Sequence, residues 1–164
     1  MKNLRQNVQY IVGIISDTHG LLRPEAIEFL NGCDSIVHAG DLGDPDILKM
    51  LEAIAPTFAV RGNVDRGSWT RDLPDKNLVV AEGKLLYVIH DLDELDLDPV
   101  AAQIAAVIFG HSHMPASYEK DGVLYFNPGS AGPRRFKLPV SIGRITVVDS
   151  GLHGEIIDLL KLRY

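Results

Sequence analysis

Short apolar runs alternate with helical patterns in the first half of the chain. The runs Tyr10–Ile15, Ser35–His38 and Phe58–Val60 have the length and composition of buried strands. Between them, Pro24–Leu30 and Asp46–Ile54 carry apolar residues at helical spacing, and a proline lies near the start of the first. Strands that alternate with helices over short loops predict a parallel sheet.

The second half of the chain has the pattern of hairpins, in which apolar runs stand beside glycine-containing turns. The runs are Leu78–Val80, Leu85–Ile89, Val123–Phe126, Ile142–Val148 and Glu155–Leu160, and the turns are Glu82-Gly83, Asp121-Gly122 and Ser150-Gly151. In addition, Pro99–Ala105 predicts a short Ala-rich helix before a strand at Ala106–Phe109. The two halves together predict one domain over residues 1–164, with two sheets packed face to face and helices outside.

Polar residues follow the ends of five predicted strands. In chain order they are Asp17, His19, Asp41, Asn63, His90, His111 and His113. Ligands of open α/β sheets lie beyond the carboxyl ends of the strands, so these side chains are expected to converge. The spacings Asp-x-His and His-x-His each place two side chains on one side of an extended segment. Glycines before Asp41, Asn63 and His111 permit tight turns and close backbone approach.

The chemistry of this set suits divalent metal ions. Two carboxylates, one amide oxygen and four imidazoles match the preferences of Mn, Fe(II), Zn or Ni. The set contains no cysteine, which argues against a structural zinc finger. Seven ligands are too many for one tetrahedral ion, but they suit two ions that share a bridging carboxylate.

The ordered motifs resemble those of the calcineurin-like metallophosphoesterase superfamily, and specifically its small prokaryotic phosphodiesterases of the YfcE type. The segment Asn127-Pro128-Gly129-Ser130 resembles a further signature of that family. The resemblance implies a four-layer α/β/β/α sandwich, in which two mixed β-sheets are flanked by helices. It also implies a metal-dependent phosphoesterase that acts on a small phosphoester substrate.

The resemblance also implies a role for each ligand. The first metal would be held by Asp17, His19 and His113, the second by Asn63, His90 and His111, and Asp41 would bridge them. The two divalent ions are expected to be Mn, with Ni, Fe, Zn or Mg as alternatives. The implied reaction is attack on phosphorus by a hydroxide that bridges the ions. Asp41, Asn63 and His90 are the expected catalytic residues, and the Asn63 amide would donate to a phosphate oxygen.

Two positions depart from the family pattern. Many relatives carry a histidine after the Asn63 position that is thought to protonate the leaving group, whereas this chain has Val64. That favours a good leaving group or another proton donor, and it agrees with the YfcE type, which commonly lacks this histidine. The family also tends to have glycine after the His90 position, where this chain has Asp91, so the orientation of His90 is left open.

Several further residues carry more modest expectations. His38 is interpreted as a core or supporting residue, and His153 as an exposed residue of a hairpin turn over Ser150–Gly154. The segment Asn127–Ser130 is expected to support the metal site rather than to bind metal itself. Arg134 and Arg135 lie where they could reach a substrate phosphate, although exposed loop arginines usually have no such role.

The stretch after His90 is acidic, since it contains Asp91, Asp93, Glu94, Asp96 and Asp98. It is interpreted as a solvated loop, with repulsion of polyanions as the functional alternative. The net charge of -6 and the pI of about 5.4 argue against a general nucleic-acid-binding surface. One phosphate held at a metal site remains compatible with that charge.

The remaining features concern location and assembly. The single cysteine, Cys33, cannot form an internal disulfide and has no partner with which to act as a catalytic thiol. The segment Met1–Gln9 lacks the apolar run of a signal peptide, and no apolar stretch reaches the length of a membrane span. A cytoplasmic protein without a membrane partner is therefore expected, and a homo-oligomer is left open.

Two other functions are kept as alternatives. One is a scaffold that acts through protein contacts, because a retromer subunit of this superfamily resembles the chain in fold. That scaffold lacks part of the histidine set, whereas all seven ligand positions are filled here. The other alternative is a small-molecule phosphomonoesterase, which would differ only in substrate.

Overall fold

The structure is a computed structural model, and it describes residues 9–162. Over these residues the chain forms ten strands and two α-helices. In chain order they are β1 (Tyr10–Ile15), α1 (Pro24–Leu30), β2 (Ser35–His38), α2 (Pro45–Glu52), β3 (Thr57–Ala59), β4 (Lys76–Ala81), β5 (Lys84–Ile89), β6 (Ala106–Ile108), β7 (Ala116–Lys120), β8 (Val123–Asn127), β9 (Ser141–Val148) and β10 (Gly151–Asp158). One-turn 3-10 helices span Ser68–Thr70, Leu92–Glu94 and Leu159–Lys161.

The strands form two mixed five-stranded sheets. The first has the order β10-β9-β1-β2-β3, in which β1, β2 and β3 are parallel, β9 is antiparallel to β1, and β10 is antiparallel to β9. The second has the order β4-β5-β6-β8-β7, in which β5, β6 and β8 are parallel and the two edge strands are antiparallel. The predicted fold class is therefore confirmed, and each sheet has a parallel centre.

The main core lies between the two sheets. Alternate residues of the central strands point into it, as the period of two along a strand requires. From the first sheet, Val12 and Ile14 are fully buried there, and from the second sheet Val88, Ile108 and Phe126 pack in the same cluster. This contact fixes how the parallel centres of the two sheets lie relative to each other.

The two helices cover the outer face of the first sheet. Ala26 and Leu30 of α1 and Ile47 and Leu51 of α2 are buried in one cluster with residues of that sheet. Helix α2 begins at a proline, and the Asp44 side chain caps it by accepting a hydrogen bond from a backbone N–H. It ends at Glu52, two residues before the predicted end, because the chain turns toward β3.

Among residues 9–162, no long helix covers the outer face of the second sheet, and the prediction of a helix over Pro99–Ala105 is wrong. These residues form turns, because the Asp98 side chain accepts hydrogen bonds from the next backbone N–H groups and Gln103 adopts a left-handed backbone with φ 57°. The face is covered instead by leucines and an isoleucine of the segment 92–104. They are Leu92, Leu95, Leu97 and Ile104.

Two further comparisons with the sequence predictions concern the chain ends. His153 is exposed as expected, but it lies within β10 rather than in the preceding turn. The N-terminal segment that was examined for a signal peptide lies outside the described residues, apart from Gln9. Within residues 9–162, no helix has the length and apolarity that a membrane crossing requires.

Candidate metal centre

The seven predicted ligands converge at one edge of the sandwich. Each follows the carboxyl end of a strand, where the parallel centres of both sheets end. Asp17 and His19 follow β1, Asp41 follows β2, Asn63 follows β3, His90 follows β5, and His111 and His113 follow β6. The two sheets thus supply opposite sides of the same cluster.

Three of these residues form what we call the first ligand group: Asp17, His19 and His113. The Nε2 atoms of the two histidines lie 3.2 Å apart, and His113 Nε2 lies 3.3 Å from Asp17 Oδ1. Asp17 is fully buried and His113 is nearly so. These side chains can offer three ligand atoms to one ion.

Asn63, His90 and His111 form the second ligand group. The Asn63 Oδ1 atom lies 3.0 Å from His90 Nε2 and 3.2 Å from His111 Nδ1. His90 is buried, whereas the His111 side chain is 44% exposed. The second group is therefore the open side of the cluster.

Asp41 lies between the two groups. Its Oδ2 atom is 3.2 Å from His90 Nε2 and 3.8 Å from His19 Nε2. Its Oδ1 atom accepts a hydrogen bond from the Val64 N–H at 3.0 Å, which holds the carboxylate in this orientation. Asp17 also borders both groups, because it can offer a carboxylate oxygen to an ion together with Asp41 and His90.

The spacing of the ligand atoms fits divalent ions. Ligands about 2.1 Å from an ion and at right angles to each other lie about 3 Å apart, and the shortest separations in both groups have this length. Asp17 Oδ2 accepts hydrogen bonds from Ser16 Oγ–H and from the His111 N–H. Asp17 Oδ1 is buried and, among the described residues, has no hydrogen-bond partner, as expected of an atom reserved for a metal.

The electrostatics of the cluster also favour a cation. Burial lowers the pKa of His90, but the hydrogen bond with Asp41 and the charge of Asp17 outweigh it and raise that pKa to about 9. Burial likewise opposes ionisation of Asp41, yet hydrogen bonds with His90 and Val64 lower its pKa. The Asp41 carboxylate therefore attracts positive charge to the centre.

Backbone conformation sets the direction of most ligands. Five of the seven have a positive φ, which is uncommon outside glycine. They are Asp17, His19, Asp41, His111 and His113, with φ values between 46° and 70°. Such residues cluster at functional sites, where the surrounding structure holds them.

Glycines beside the ligands allow the loops to approach each other. A Cβ added at Gly62 would overlap the Asp41 carboxylate, and one added at Gly110 would overlap Ser16 and Asp17. The expected role of these glycines is therefore confirmed: each lets one ligand loop lie directly against the ligand of another.

His38 supports both loops of the first sheet. Its Nδ1 accepts a hydrogen bond from the Gly40 N–H, and its Nε2–H donates to Thr18 Oγ1, which donates in turn to the Leu42 carbonyl. His38 is fully buried, and this burial lowers its pKa to about 4. The neutral ring therefore joins the loop of Asp17 to the loop of Asp41, as a supporting residue would.

Asp65 has a supporting role that the sequence reasoning missed. Its buried carboxylate accepts hydrogen bonds from the backbone N–H groups of Leu42, Gly43 and Gly62. It thus joins the loop that carries Asp41 to the loop that carries Asn63. The sequence offered one signal for this role, which is that Asp65 stands two residues after the predicted ligand Asn63.

The segment Asn127–Ser130 supports the remaining loops. Asn127 Nδ2 donates to the Gly110 carbonyl and to Ser112 Oγ, and Ser130 Oγ donates to the Asp17 carbonyl. The segment holds the loop of His111 and His113 beside that of Asp17, as the sequence predicted.

The two departures from the family pattern lie on the open side. Val64 is 44% exposed, and its side chain cannot donate a proton. The Asp91 carboxylate lies 3.8 Å from His111 Nε2, on the side away from Asn63. His90 is oriented independently of Asp91, because its Nδ1–H donates to the Ala39 carbonyl at 2.7 Å and Nε2 faces the cluster.

A cavity of about 370 Å³ adjoins the second ligand group. Its lining includes Asn63, His90, Arg66 and an ion pair in which the Arg61 guanidinium donates to the Asp75 carboxylate. A cavity of about 430 Å³ elsewhere, beside α1 and the β9–β10 hairpin, contains none of the seven ligands.

The arrangement of ligands agrees with the comparison to known families. Residues 11–150 match the model of the calcineurin-like phosphoesterase superfamily domain. The chain belongs to this superfamily. A probable metallophosphoesterase of Methanothermobacter thermautotrophicus is 33% identical over an alignment of 159 residues that covers 90% of this chain and 91% of that protein. A protein named phosphodiesterase in Methanocaldococcus jannaschii is 30% identical over 136 residues, covering 72% and 82% of the two chains.

Two solved structures share the fold of this chain. The YfcE phosphoesterase of Escherichia coli superimposes with a TM-score of 0.66 at 20% identity, covering 91% of this chain and 99% of that one. Vacuolar protein sorting 29 of Cryptosporidium parvum superimposes with a TM-score of 0.75 at 18% identity, covering 92% and 97%. The fold therefore occurs both in a phosphoesterase and in a protein named for sorting.

Proposed function

We propose that this metallophosphoesterase hydrolyses a small phosphodiester at two divalent ions, with Mn as the favoured metal. The first ligand group would hold one ion and the second group the other, with Asp41 between them. The observation that carries the proposal is the convergence of seven ligand side chains, with Asp17 Oδ1 left without a hydrogen bond among the described residues. When bound, such ions polarise phosphoryl oxygens and lower the pKa of a water molecule.

The protein groups of the site have distinct tasks. The Asp41 carboxylate, held by the Val64 N–H, would keep its Oδ2 between the two ligand groups. His90 would present Nε2 as a ligand, because its Nδ1–H is committed to the Ala39 carbonyl. Asn63 would offer its oxygen to the metal site and its amide N–H to a phosphate oxygen. No proton donor stands at Val64, so a substrate with a good leaving group is favoured.

The preference for a diester is supported by the relative that is named a phosphodiesterase. The size of the substrate is suggested by the cavity of about 370 Å³ beside Asn63 and His90. Arg66 in its lining provides a positive charge near the position that a phosphoester would take.

The decisive experiment measures hydrolysis of bis-p-nitrophenyl phosphate and p-nitrophenyl phosphate by metal-stripped protein during titration with Mn. We expect turnover to return with the metal and to be faster on the diester. Asp41→Asn should remove activity, whereas Asp46→Asn, at an exposed position of α2, should leave it unchanged. Wild-type rates in the Asp41 variant would contradict the proposed site, and faster monoester hydrolysis would favour a phosphomonoesterase.

The second candidate function is a scaffold that acts through protein contacts. The similarity in fold to vacuolar protein sorting 29 and the absence of a histidine at Val64 favour it. Binding of two ions per chain without turnover of any phosphoester would make it the better explanation. A cytoplasmic location and a homo-oligomer stay predictions.

A further inference from the structure

One loop beside the metal centre has properties that metal binding does not explain. We call Pro133–Leu138 the basic loop, because it contains Arg134, Arg135 and Lys137 in a protein whose net charge is -6. Phe136, at its centre, is 93% exposed and has a φ of 51°. A bulky residue with positive φ is rare. Here that conformation is combined with almost complete exposure of an aromatic ring.

The base of the basic loop is fixed to the first ligand group. The Ala131 N–H donates to the Ser16 carbonyl at 3.1 Å, and a Cβ added at Gly132 would overlap the carbonyl groups of Asp17 and Thr18. The Arg23 guanidinium donates to the Gly132 carbonyl at 3.2 Å. The loop therefore leaves the protein surface directly beside the candidate metal ligands.

Hydrogen bonds within the loop place Phe136 at its tip. The Leu138 N–H donates to the Arg135 carbonyl at 3.0 Å, and Arg134 Nε–H donates to the Leu138 carbonyl at 3.3 Å. These two contacts close a turn around Phe136. Arg135 lies three residues after Gly132, which is in direct contact with the backbone of Asp17 and Thr18.

The charge around the site is asymmetric. The basic loop begins beside the segment of Asp17 and Thr18, whereas the Asp91 carboxylate lies beside His111. The positive charge of the loop therefore attracts an anionic phosphoester to the centre from the side of the first ligand group. Within the loop, an exposed aromatic ring beside guanidinium groups is the combination that stacks on a planar ring and binds its phosphate.

We propose that the basic loop is the specificity element of the site and that it selects phosphoesters with a planar aromatic ester group, in which Phe136 stacks on the ring and Arg135 binds the phosphate. This inference rests on the proposed function, since it places the substrate at the same centre. A nucleobase and a simple aryl group share the required chemistry. Attachment of the loop to the ligand-bearing segments favours a substrate over a membrane surface, to which basic and aromatic residues also bind.

The test measures binding of phosphonates, whose carbon–phosphorus bond a phosphoesterase does not cleave. Isothermal titration calorimetry on Mn-loaded protein would compare methylphosphonate, phenylphosphonate and the 5′-phosphonate analogue of thymidine monophosphate. We expect the two aromatic ligands to bind more tightly than methylphosphonate. In Phe136→Leu their affinity should fall by about fivefold or more, whereas that of methylphosphonate should not change.

Two sets of variants separate stacking from other effects. Phe136→Trp keeps an aromatic ring and should retain the aromatic preference, while Phe58→Leu makes the same change at a partly exposed position of β3 and should have no effect. Arg135→Gln should weaken all three phosphonates, whereas Arg71→Gln, at another exposed arginine, should weaken none.

The outcomes distinguish the possible ligands. If Phe136→Leu weakens binding of the thymidine analogue alone, the preferred ester group is a nucleobase. If it weakens binding of phenylphosphonate alone, the preferred group is a simple aryl group. Equal affinity for all three ligands, or unchanged affinities in Phe136→Leu, would overturn the inference. It would also be overturned if the variant lost binding to anionic phosphatidylserine vesicles while its phosphonate affinities stayed the same. Hydrolysis of bis-p-nitrophenyl phosphate by wild type tests the proposed function separately.

Discussion

The two ligand groups contrast in how the protein holds them. In the first group, Asp17 is fully buried and His113 is 3% exposed, and the loops around them are joined to each other by side chains such as Ser130. In the second group, the His111 side chain is 44% exposed and faces Asp91, and a cavity adjoins Asn63 and His90. One half of the centre is enclosed and the other is accessible.

This difference suggests a division of tasks between the two halves. Electrostatic interactions with a buried ligand group are stronger than those with an exposed group, because solvent screens the latter. An ion at the first ligand group should therefore be held more tightly. The second ligand group should exchange its ion more readily, because the adjoining cavity leaves it accessible to solvent.

The strongest challenge to this comparison is to remove one histidine from each half. His113→Ala should abolish binding at the first ligand group and lower the hydrolysis rate by more than the roughly hundredfold that loss of an outer-shell partner costs. His111→Ala should retain one tightly bound ion and lose roughly ten- to a hundredfold in rate. Inductively coupled plasma mass spectrometry would measure the metal content of both variants, and bis-p-nitrophenyl phosphate would measure their hydrolysis rates. Equal losses of metal and of rate in the two variants would contradict the difference between the two ligand groups.

The support of the Asp41 and Asn63 loops can be tested through Asp65. Asp65→Ala leaves three backbone N–H groups without their carboxylate, and each unpaired buried donor costs about 1–3 kcal/mol. The free energy of unfolding should fall by at least about 3 kcal/mol in urea denaturation. Asp75→Ala, which removes the exposed partner of Arg61, should cost less than about 1 kcal/mol.

His38 makes a pH-dependent contribution to the stability of the enclosed half. Its folded-state pKa of about 4 lies below the ordinary 6.5, so the unfolded chain takes up the proton first as the pH falls. The stabilisation is complete above pH 6.5 and is lost progressively toward pH 4, by up to about 3 kcal/mol. Urea denaturation between pH 7 and 4.5 should show a smaller decline in His38→Gln than in wild type. His153→Gln, at an exposed position, should follow wild type.

Substitution of Asp91 should have the smallest effect, and it should change only the metal affinity of the second ligand group. Asp91→Gly restores the residue typical of the family and removes the carboxylate 3.8 Å from His111 Nε2. Because both groups are partly exposed, we expect only a roughly two- to fivefold weakening of the more weakly bound ion. Mn titration would measure it, with Asp96→Gly, in the same acidic stretch, as a control. A change at the tightly bound ion would show that Asp91 acts on the enclosed half.

The convergence of the ligands was predictable from the sequence because simple rules apply to it. Asp17, Asp41 and Asn63 each follow a short apolar run, and the carboxyl ends of parallel strands meet at one edge. The fold class followed from the same alternation of strands, helices and hairpins. The structure places the seven candidates together, and their roles as ligands stay a proposal.

Other features depend on contacts that no local pattern records. The segment Pro99–Ala105 has helical composition, yet the Asp98 side chain and the left-handed backbone of Gln103 hold it in turns. The role of Asp65 arises from two N–H groups on the loop of Asp41 and one at the start of its own loop. The exposure of Phe136 likewise depends on the closure of its own loop, because an aromatic residue in a sequence predicts burial.

Glycines and buried hydrogen bonds hold the left-handed backbone of five ligands in the folded loops. We therefore expect the centre to keep its shape when the ions are removed. A zinc finger, by contrast, folds around its metal and collapses when a chelator removes it. Here a chelator should remove the ions and leave the protein folded. Different divalent metals could then be exchanged in the same molecule, with changes in turnover but without refolding.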